Sequence, residues 1–330
     1  MNQRRTLMLA VGASALTAPF TSFAQAPAHP SGKPWRVGIM PGGLLAPRQF
    51  QWDAFRKRML DLGYVEGKNV EYFIRAPAQE GAPYDELAAD LVRLNVDVIV
   101  ATAFGAIGAA QKATPRIPIV MCPSSDPVAA GFVTSLRRPG GNITGISIQM
   151  EETTGKRMQL LREMAPKASR IAFIWDGSAS KAQLDTALIA ARQLGVRLQS
   201  LQVSTAEALP AAFAAMIKER ANGLMVAQSP FTFGLRTQIA ALALQHRLPS
   251  MYGLPANAGA GGLMSYGPND SEFYRQAAGL VDKVFKGAKP ADLPVEQPTR
   301  WELVINMKTA KALGITVPQV VLLQAERVIE

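Results

Sequence analysis

Asp126-Pro127-Val128-Ala129-Ala130-Gly131-Phe132-Val133-Thr134-Ser135-Leu136-Arg137-Arg138-Pro139-Gly140-Gly141-Asn142-Ile143-Thr144-Gly145 is the stretch on which the reading of this chain turns. The apolar run 117–122 before it reads as a buried strand, and the run 143–148 that it launches reads as another. Between them Pro139-Gly140-Gly141-Asn142 is a dense turn signal. A polar loop at a strand's carboxyl end, followed by passage into a second α/β unit, is where such folds place ligands. The stretch is therefore expected at the junction of two lobes, walling one side of a cleft, with a packed helical turn over 128–136.

Upstream, strands at 35–40, 70–75 and 96–101 alternate with helices at 49–62, 84–94 and 104–112. Phe55, Met59 and Leu62 share one face of the first helix, and Gly63 stops it. The strand at 96–101 is apolar almost throughout, as a strand covered on both faces must be. Alternation of this kind implies a parallel sheet with right-handed crossovers. Downstream the rhythm repeats, with strands at 170–175, 196–203, 223–227 and 248–252. The helices between them include one striped by Leu184, Ala187, Leu188 and Ala191, one from about Pro210 after a short first turn, and one over 232–245. Ala258-Gly259-Ala260-Gly261-Gly262 then reads as a flexible passage before a strand at 263–266. A helix from Asn269 to Gly287, a proline-rich segment at 289–298, a strand at 302–305 and a helix at 308–313 complete the chain.

Glycine- or proline-rich crossings fall near 145, 257 and 294. These features predict an α/β chain of two lobes, each a parallel sheet flanked by helices, joined by a three-crossing hinge. Lobe one takes 35–146 plus 258–290, and lobe two takes 147–257 plus 291–330. A leader at 1–26 and a linker at 27–34 come first. The leader follows from Arg4-Arg5, the apolar run 7–16 and Ala24-Gln25-Ala26, which together read as a secretory signal peptide. That run is short of the roughly 20 residues of a spanning helix. The arginine pair matches twin-arginine export only loosely. With no Cys near the cleavage site, a soluble product without a lipid anchor is expected.

The chain has 330 residues, 48% hydrophobic and 18% charged, and a formal charge of +10. Removing Arg4 and Arg5 with the leader leaves +8, because residues 1–26 contain no acid. The basic residues are scattered, and Arg56-Lys57-Arg58 shares its helix with Asp53 and Asp61, so no nucleic-acid partner is expected. A single cysteine, Cys122, forbids an intramolecular disulfide and sits where a buried, inert thiol is the common outcome. No G-x-G-x-x-G follows the first strand, and no P-loop or G-x-S-x-G occurs. His29 and His246 are the only histidines, so neither a metal cluster nor a histidine-based triad is expected. On these motifs neither a catalytic function nor a cofactor is expected.

Four segments, in order, carry a resemblance. They are Leu62-Gly63-Tyr64-Val65-Glu66-Gly67-Lys68-Asn69-Val70, the opening stretch, Gly287-Ala288-Lys289-Pro290-Ala291-Asp292-Leu293-Pro294-Val295-Glu296, and Asn306-Met307-Lys308-Thr309-Ala310-Lys311-Ala312-Leu313-Gly314. With them the chain resembles the ABC-transporter substrate-binding proteins of the tryptophan/tyrosine-type group, which have a type I periplasmic-binding fold. The resemblance implies a monomeric periplasmic receptor that captures an amino acid or related small carboxylate and delivers it to an ABC permease served by a separate ATPase subunit. A sensing protein feeding a membrane receptor would use the same fold. The sequence departs from the aromatic-amino-acid receptors at Ser147-Ile148-Gln149-Met150-Glu151 and at Gln228-Ser229-Pro230-Phe231.

Strand carboxyl ends select the candidate ligand contacts. On lobe one these are Gly43 and Leu44, then Thr102, Ala103 and Phe104, then Ser125 and Asp126. On lobe two they are Asp176 and Ser178, Gln228 and Ser229, and Tyr252, joined by Tyr266. Thr102 ends a buried strand and opens a helix, which suits a carboxylate; a plain helix cap is the competing reading. Asp176 either meets a ligand ammonium or caps the following helix. Asp126 either recognises solute or holds its loop in shape. Phe104, Phe231, Tyr252 and Tyr266 either line an apolar slot or belong to the core.

Overall fold

The structure, a computed structural model, describes residues 27–79, 82–148, 150, 153–177 and 180–330. The leader at 1–26 lies outside the described residues. Five parallel strands form the first sheet: β1 (Trp35–Met40), β2 (Val70–Ile74), β3 (Val98–Ala101), β4 (Ile119–Ser124) and β5 (Ile143–Ser147), in the order β2-β1-β3-β4-β5. β3 is buried along its whole length, as its composition requires. α1 (Gln49–Asp61) covers one face, while α2 (Asp85–Arg93) and α3 (Ala103–Ala113) cover the other with Leu91, Ala106 and Ile107.

The second sheet holds seven strands: β6 (Arg170–Trp175), β7 (Arg197–Gln202), β8 (Gly223–Val226), β9 (Ser250–Tyr252), β10 (Met264–Gly267), β11 (Glu302–Asn306) and β12 (Arg327–Ile329), in the order β12-β11-β10-β9-β8-β6-β7. Around it lie α4 (Thr154–Met164), α5 (Lys181–Gln193), α6 (Leu209–Lys218), α7 (Pro230–Gly234), α8 (Arg236–Gln245) and α9 (Pro255–Gly259). The short first turn expected before α6 is a 3-10 turn at Ala206–Ala208.

Several elements differ from expectation. β10, expected with lobe one as part of 258–290, pairs parallel to β9 through Met264↔Met251 and antiparallel to β11 through Met264↔Ile305. The chain leaves this sheet only after Gly267, where a Cβ would stand 1.6 Å from the Gly253 carbonyl oxygen. α10 (Asp270–Phe285), capped by Asn269, then returns to the first lobe. There Phe285 stacks on Trp35 at 4.1 Å, Tyr274 meets Trp52 edge-on at 5.0 Å, and Tyr64 donates to the buried Asp282 carboxylate at 2.9 Å.

At the third crossing, 291–296 was expected with lobe two. It lies instead along β5, with Glu296 N–H donating to Gly145 O at 2.9 Å and Val295 N–H to Leu136 O at 2.7 Å. The second sheet is mixed, because β11 runs antiparallel to β10. Residues 258–262, expected as a flexible passage, contain the end of α9, which starts on Pro255 at its first turn. The helix expected over 232–245 is broken at Leu235 into α7 and α8. β12 follows α11 (Met307–Leu313) and α12 (Gln319–Leu322) and was not anticipated; its three residues, exposed at Arg327 and Val328, are too few to register as a pattern. Among the described residues no helix is long and apolar enough to cross a membrane.

Gly145, the last residue of the opening stretch, pairs with Met121 at a φ of +148°, and a Cβ there would lie 2.1 Å from Met121 O. Gly145→Ala is expected to destabilise the fold by about 2–3 kcal/mol, as overpacking a tight interior does. Thermal unfolding followed by circular dichroism would show the lowered midpoint; an unchanged midpoint would mean that β4 and β5 can part without cost.

Candidate functional site

The loops after β1, β3, β4 and β5 gather at one edge of the first sheet. Thr102 is 4% exposed and extended, with φ −119° and ψ 148°, yet its side chain does not cap α3. Its hydroxyl accepts the Gly42 N–H at 2.5 Å instead, tying the β1 loop to the end of β3. Gly42 has no room for a side chain, since a Cβ would meet that of Ala103 at 2.7 Å. Ala103 itself takes a φ of +67°, a strained value for a residue with a side chain. Beneath them the Tyr274 hydroxyl donates to Gln51 Oε1 at 3.0 Å, and burial raises its pKa well above the usual phenol value. The Thr102 hydroxyl is thus occupied where α3 begins.

Gly43 is buried and Leu44 half-buried, with the Leu44 carbonyl accepting Arg48 Nη1 at 2.7 Å. Phe104 is 66% exposed and tilts onto Phe132 at 5.2 Å. It lines a 530 Å³ surface groove between α2 and α3 with Tyr84 and Lys112. Ser125 and Asp126 are exposed; Asp126 Oδ1 accepts the N–H groups of Val128 and Ala129 at 3.1 and 3.0 Å, so its carboxylate shapes the loop. The Ser125 carbonyl accepts the Ser147 hydroxyl at 3.0 Å.

On the second lobe Asp176 is half-buried and accepts the Ser180 hydroxyl at 2.5 Å, folding the turn at Gly177. Ser178 lies outside the described residues. Both backbone groups of Gln228 pair with the Gln183 side chain, at 2.9 and 2.8 Å. Ser229 caps α7 in a reciprocal arrangement with Thr232. Tyr252 is fully buried among Ile174, Phe213 and Leu224, so it packs the core of the lobe rather than lining a slot. Burial raises its phenol pKa, against a smaller opposing effect of Ser250. Phe231 packs against the same core, and Tyr266 stacks on Trp301 at 6.2 Å beside the third crossing.

Sequence reasoning missed the residues that join the two edges. Arg48 is 3% exposed and its Nη2 donates to Pro230 O at 2.6 Å, while Arg236 Nη2 donates to Pro47 O at 2.8 Å. Phe233 and Leu254 of the second lobe are buried against the core of the first, and Phe50 faces Phe233 at 6.4 Å. Arg157 is 1% exposed and donates to Met150 O at 2.5 Å, with Nη1 2.9 Å from where a Gly253 Cβ would stand. Asp270 is buried at the start of α10 and its carboxyl is pushed up to about 6, by burial first, with Gln51 and Arg236 pulling the other way. An arginine at a helix start, or an acid in a first turn, carries no sequence signal of burial by another lobe. Among the described residues no three His, Cys, Asp or Glu side chains converge as a metal site. The polar side chains at these two edges are thus mostly bonded within their own lobe, while Arg48 and Arg236 reach across.

The model of the family described as "ABC transporter substrate binding protein" matches residues 48–329. The chain belongs to this family. A curated relative, the "Tyrosine-binding protein" of Clostridioides difficile (strain R20291), is 27% identical over 269 residues, which cover 79% of this chain and 75% of the relative. A solved ABC domain from Streptococcus pneumonia in complex with L-Trp superposes with a TM-score of 0.81 at 24% identity, covering 90% of this chain and 100% of that one. A conserved domain protein from Vibrio cholerae gives the same TM-score, identity and coverage. The fold is that of the type I periplasmic-binding proteins, and the family's members are binding proteins rather than enzymes.

Thr102→Ala leaves the Gly42 N–H unpaired and should cost about 1–3 kcal/mol of stability, whereas Thr102→Ser should retain it. A denaturant titration that finds the two variants equal would remove this bond from the loop's support. Asp270 gives a pH signature. Its unfolded pKa lies near 3.9, so the folded state binds more protons between about pH 4 and 6 and stability falls as pH rises through that window. Asp270→Asn should flatten the melting temperature over that range; an undiminished slope would exclude Asp270 as its source.

Proposed function

We propose that this chain is a periplasmic receptor that captures an amino acid or related small carboxylate between its lobes and delivers it to an ABC permease. The observation that carries the reading is the facing of two strand-carboxyl edges across one cleft in a chain of a binding-protein family. A ligand carboxylate would meet the free amides at the start of α3, near Thr102, Ala103 and Phe104, where the helix dipole favours negative charge. The Gly43-Leu44 loop would close over it. An ammonium would lie toward Asp176, Gln228 and Ser125, leaving the ligand side chain to the rest of the cleft.

The amino-acid class draws support from a relative named for tyrosine and a structural neighbour holding L-Trp. Export by a leader at 1–26 and action as a monomer beside a separate ATPase subunit belong to the same proposal. Thermal-shift measurements with L-tyrosine, L-tryptophan, other amino acids, small carboxylates and nucleobases test it. A ligand at one hundred times its Kd adds about 2.7 kcal/mol to the folded state and raises the melting temperature accordingly. Stabilisation by an amino acid without its chemical conversion is the expected result. A response to nucleobases alone would overturn the ligand class, and turnover of a hit would overturn the receptor.

A further inference from the structure

Arg48 and Arg236 make the same two-handed contact in opposite directions. Arg48 uses Nη1 to hold Leu44 O in its own lobe at 2.7 Å and Nη2 to reach Pro230 O in the other at 2.6 Å. Arg236 uses Nη1 to hold Phe233 O in its own lobe at 2.9 Å and Nη2 to reach Pro47 O at 2.8 Å. Its guanidinium also lies 4.4 Å from the centre of the Phe233 ring, a side chain itself packed against the first lobe. The planar fork of arginine lets one group bridge a near and a far carbonyl at fixed spacing, which the point charge of lysine does not.

The contact is carried by strands other than those at which the chain crosses, with Arg236 close to Asp270 just after the second crossing. In the first sheet β3 and β4 separate β1 from β5, where the chain crosses; in the second β9 separates β8 from β10. Both bonds join the same two segments, so any parting of the segments breaks them together. The contact is also balanced against itself. Arg48 is buried and Arg236 half-buried near it, and burial first, then Arg48, push Arg236 below the ordinary arginine pKa while Asp270 opposes them. Hydrogen bonds to charged donors stabilise closure, and desolvation with mutual repulsion resists it. A contact of this kind adds a modest bias that ligand binding energy can tip.

We infer that Arg48 and Arg236 form a two-way clasp that sets the balance between closed and open lobes, and with it the receptor's hold on its ligand. They act as positioning residues, and the inference rests on the reading of two lobes that close. The clasp favours the closed form and slows ligand escape.

The test places spin labels at Lys68→Cys in the first lobe and Lys218→Cys in the second, two exposed positions, while the buried Cys122 stays unlabelled. Inter-label distances are measured without ligand in the parent and in Arg48→Lys/Arg236→Lys. The expected result is a population shifted to longer separations in the double variant, with parental circular dichroism. Distances unchanged by the double variant would overturn the clasp. If that variant fails to fold, Arg236→Gln alone is compared in the same way, with the same two outcomes. Binding of L-tyrosine and L-tryptophan is measured in parallel and is expected to weaken about tenfold, as loss of about 1.4 kcal/mol implies, through faster dissociation. If neither amino acid binds the parent, the amino-acid reading fails, and the ligand-free distances still decide the clasp.

Discussion

Strand polarity is the constraint on which the site depends. All five strands of the first sheet run parallel, so every loop that follows a strand emerges at one edge. β6, β8, β9 and β10 do the same in the second sheet. Loops there carry backbone groups that the ladders do not use, and the helices that follow add free N–H groups. Bonds between the residues after β1 and those after β8 set the two edges against each other. A cleft walled by backbone polarity follows from the topology before any particular side chain is considered.

Side chains at these edges mostly brace the walls. Thr102 is committed to Gly42, Asp126 to the amides of Val128 and Ala129, Asp176 to Ser180, and Ser229 to Thr232. Each bond fixes the geometry of a loop whose amides or carbonyls remain available. A rigid wall loses little conformational entropy when a ligand arrives, which favours binding by pre-organisation. The same arrangement explains why polar residue types at strand ends are an imperfect guide to recognition: the wall is as polar as the site.

The sequence made the strands legible where one face or both had to be apolar. β1 and β6 lie where the apolar runs put them, and β3 and β4 within two residues. It placed β10 in the wrong lobe, because the four residues Met264-Ser265-Tyr266-Gly267 carry no mark of the strands β9 and β11 with which they pair. α9 was hidden because alanine and glycine read as flexible, although Pro255 pre-organises its first turn. For the site, Thr102 was legible as a polar residue opening a helix and Ser229 as one at a strand's carboxyl end. Arg48, Arg236 and Asp270 were not, because their partners lie in segments almost two hundred residues away or more. Periodicity reports the neighbours of a residue along its own helix and is silent about the opposing lobe.

α10 gives the architecture an order in time. The first sheet is complete at Ser147, yet Trp35, Trp52 and Tyr64 on its α1 side take the partners Phe285, Tyr274 and Asp282 from Asp270–Phe285. Nor is β5 flanked on its outer edge until Glu296 arrives. A chain growing from its N-terminus therefore cannot finish the first lobe before the second has largely been made. The half that begins the protein is the half that must wait, with an apolar face uncovered, for the return of the chain.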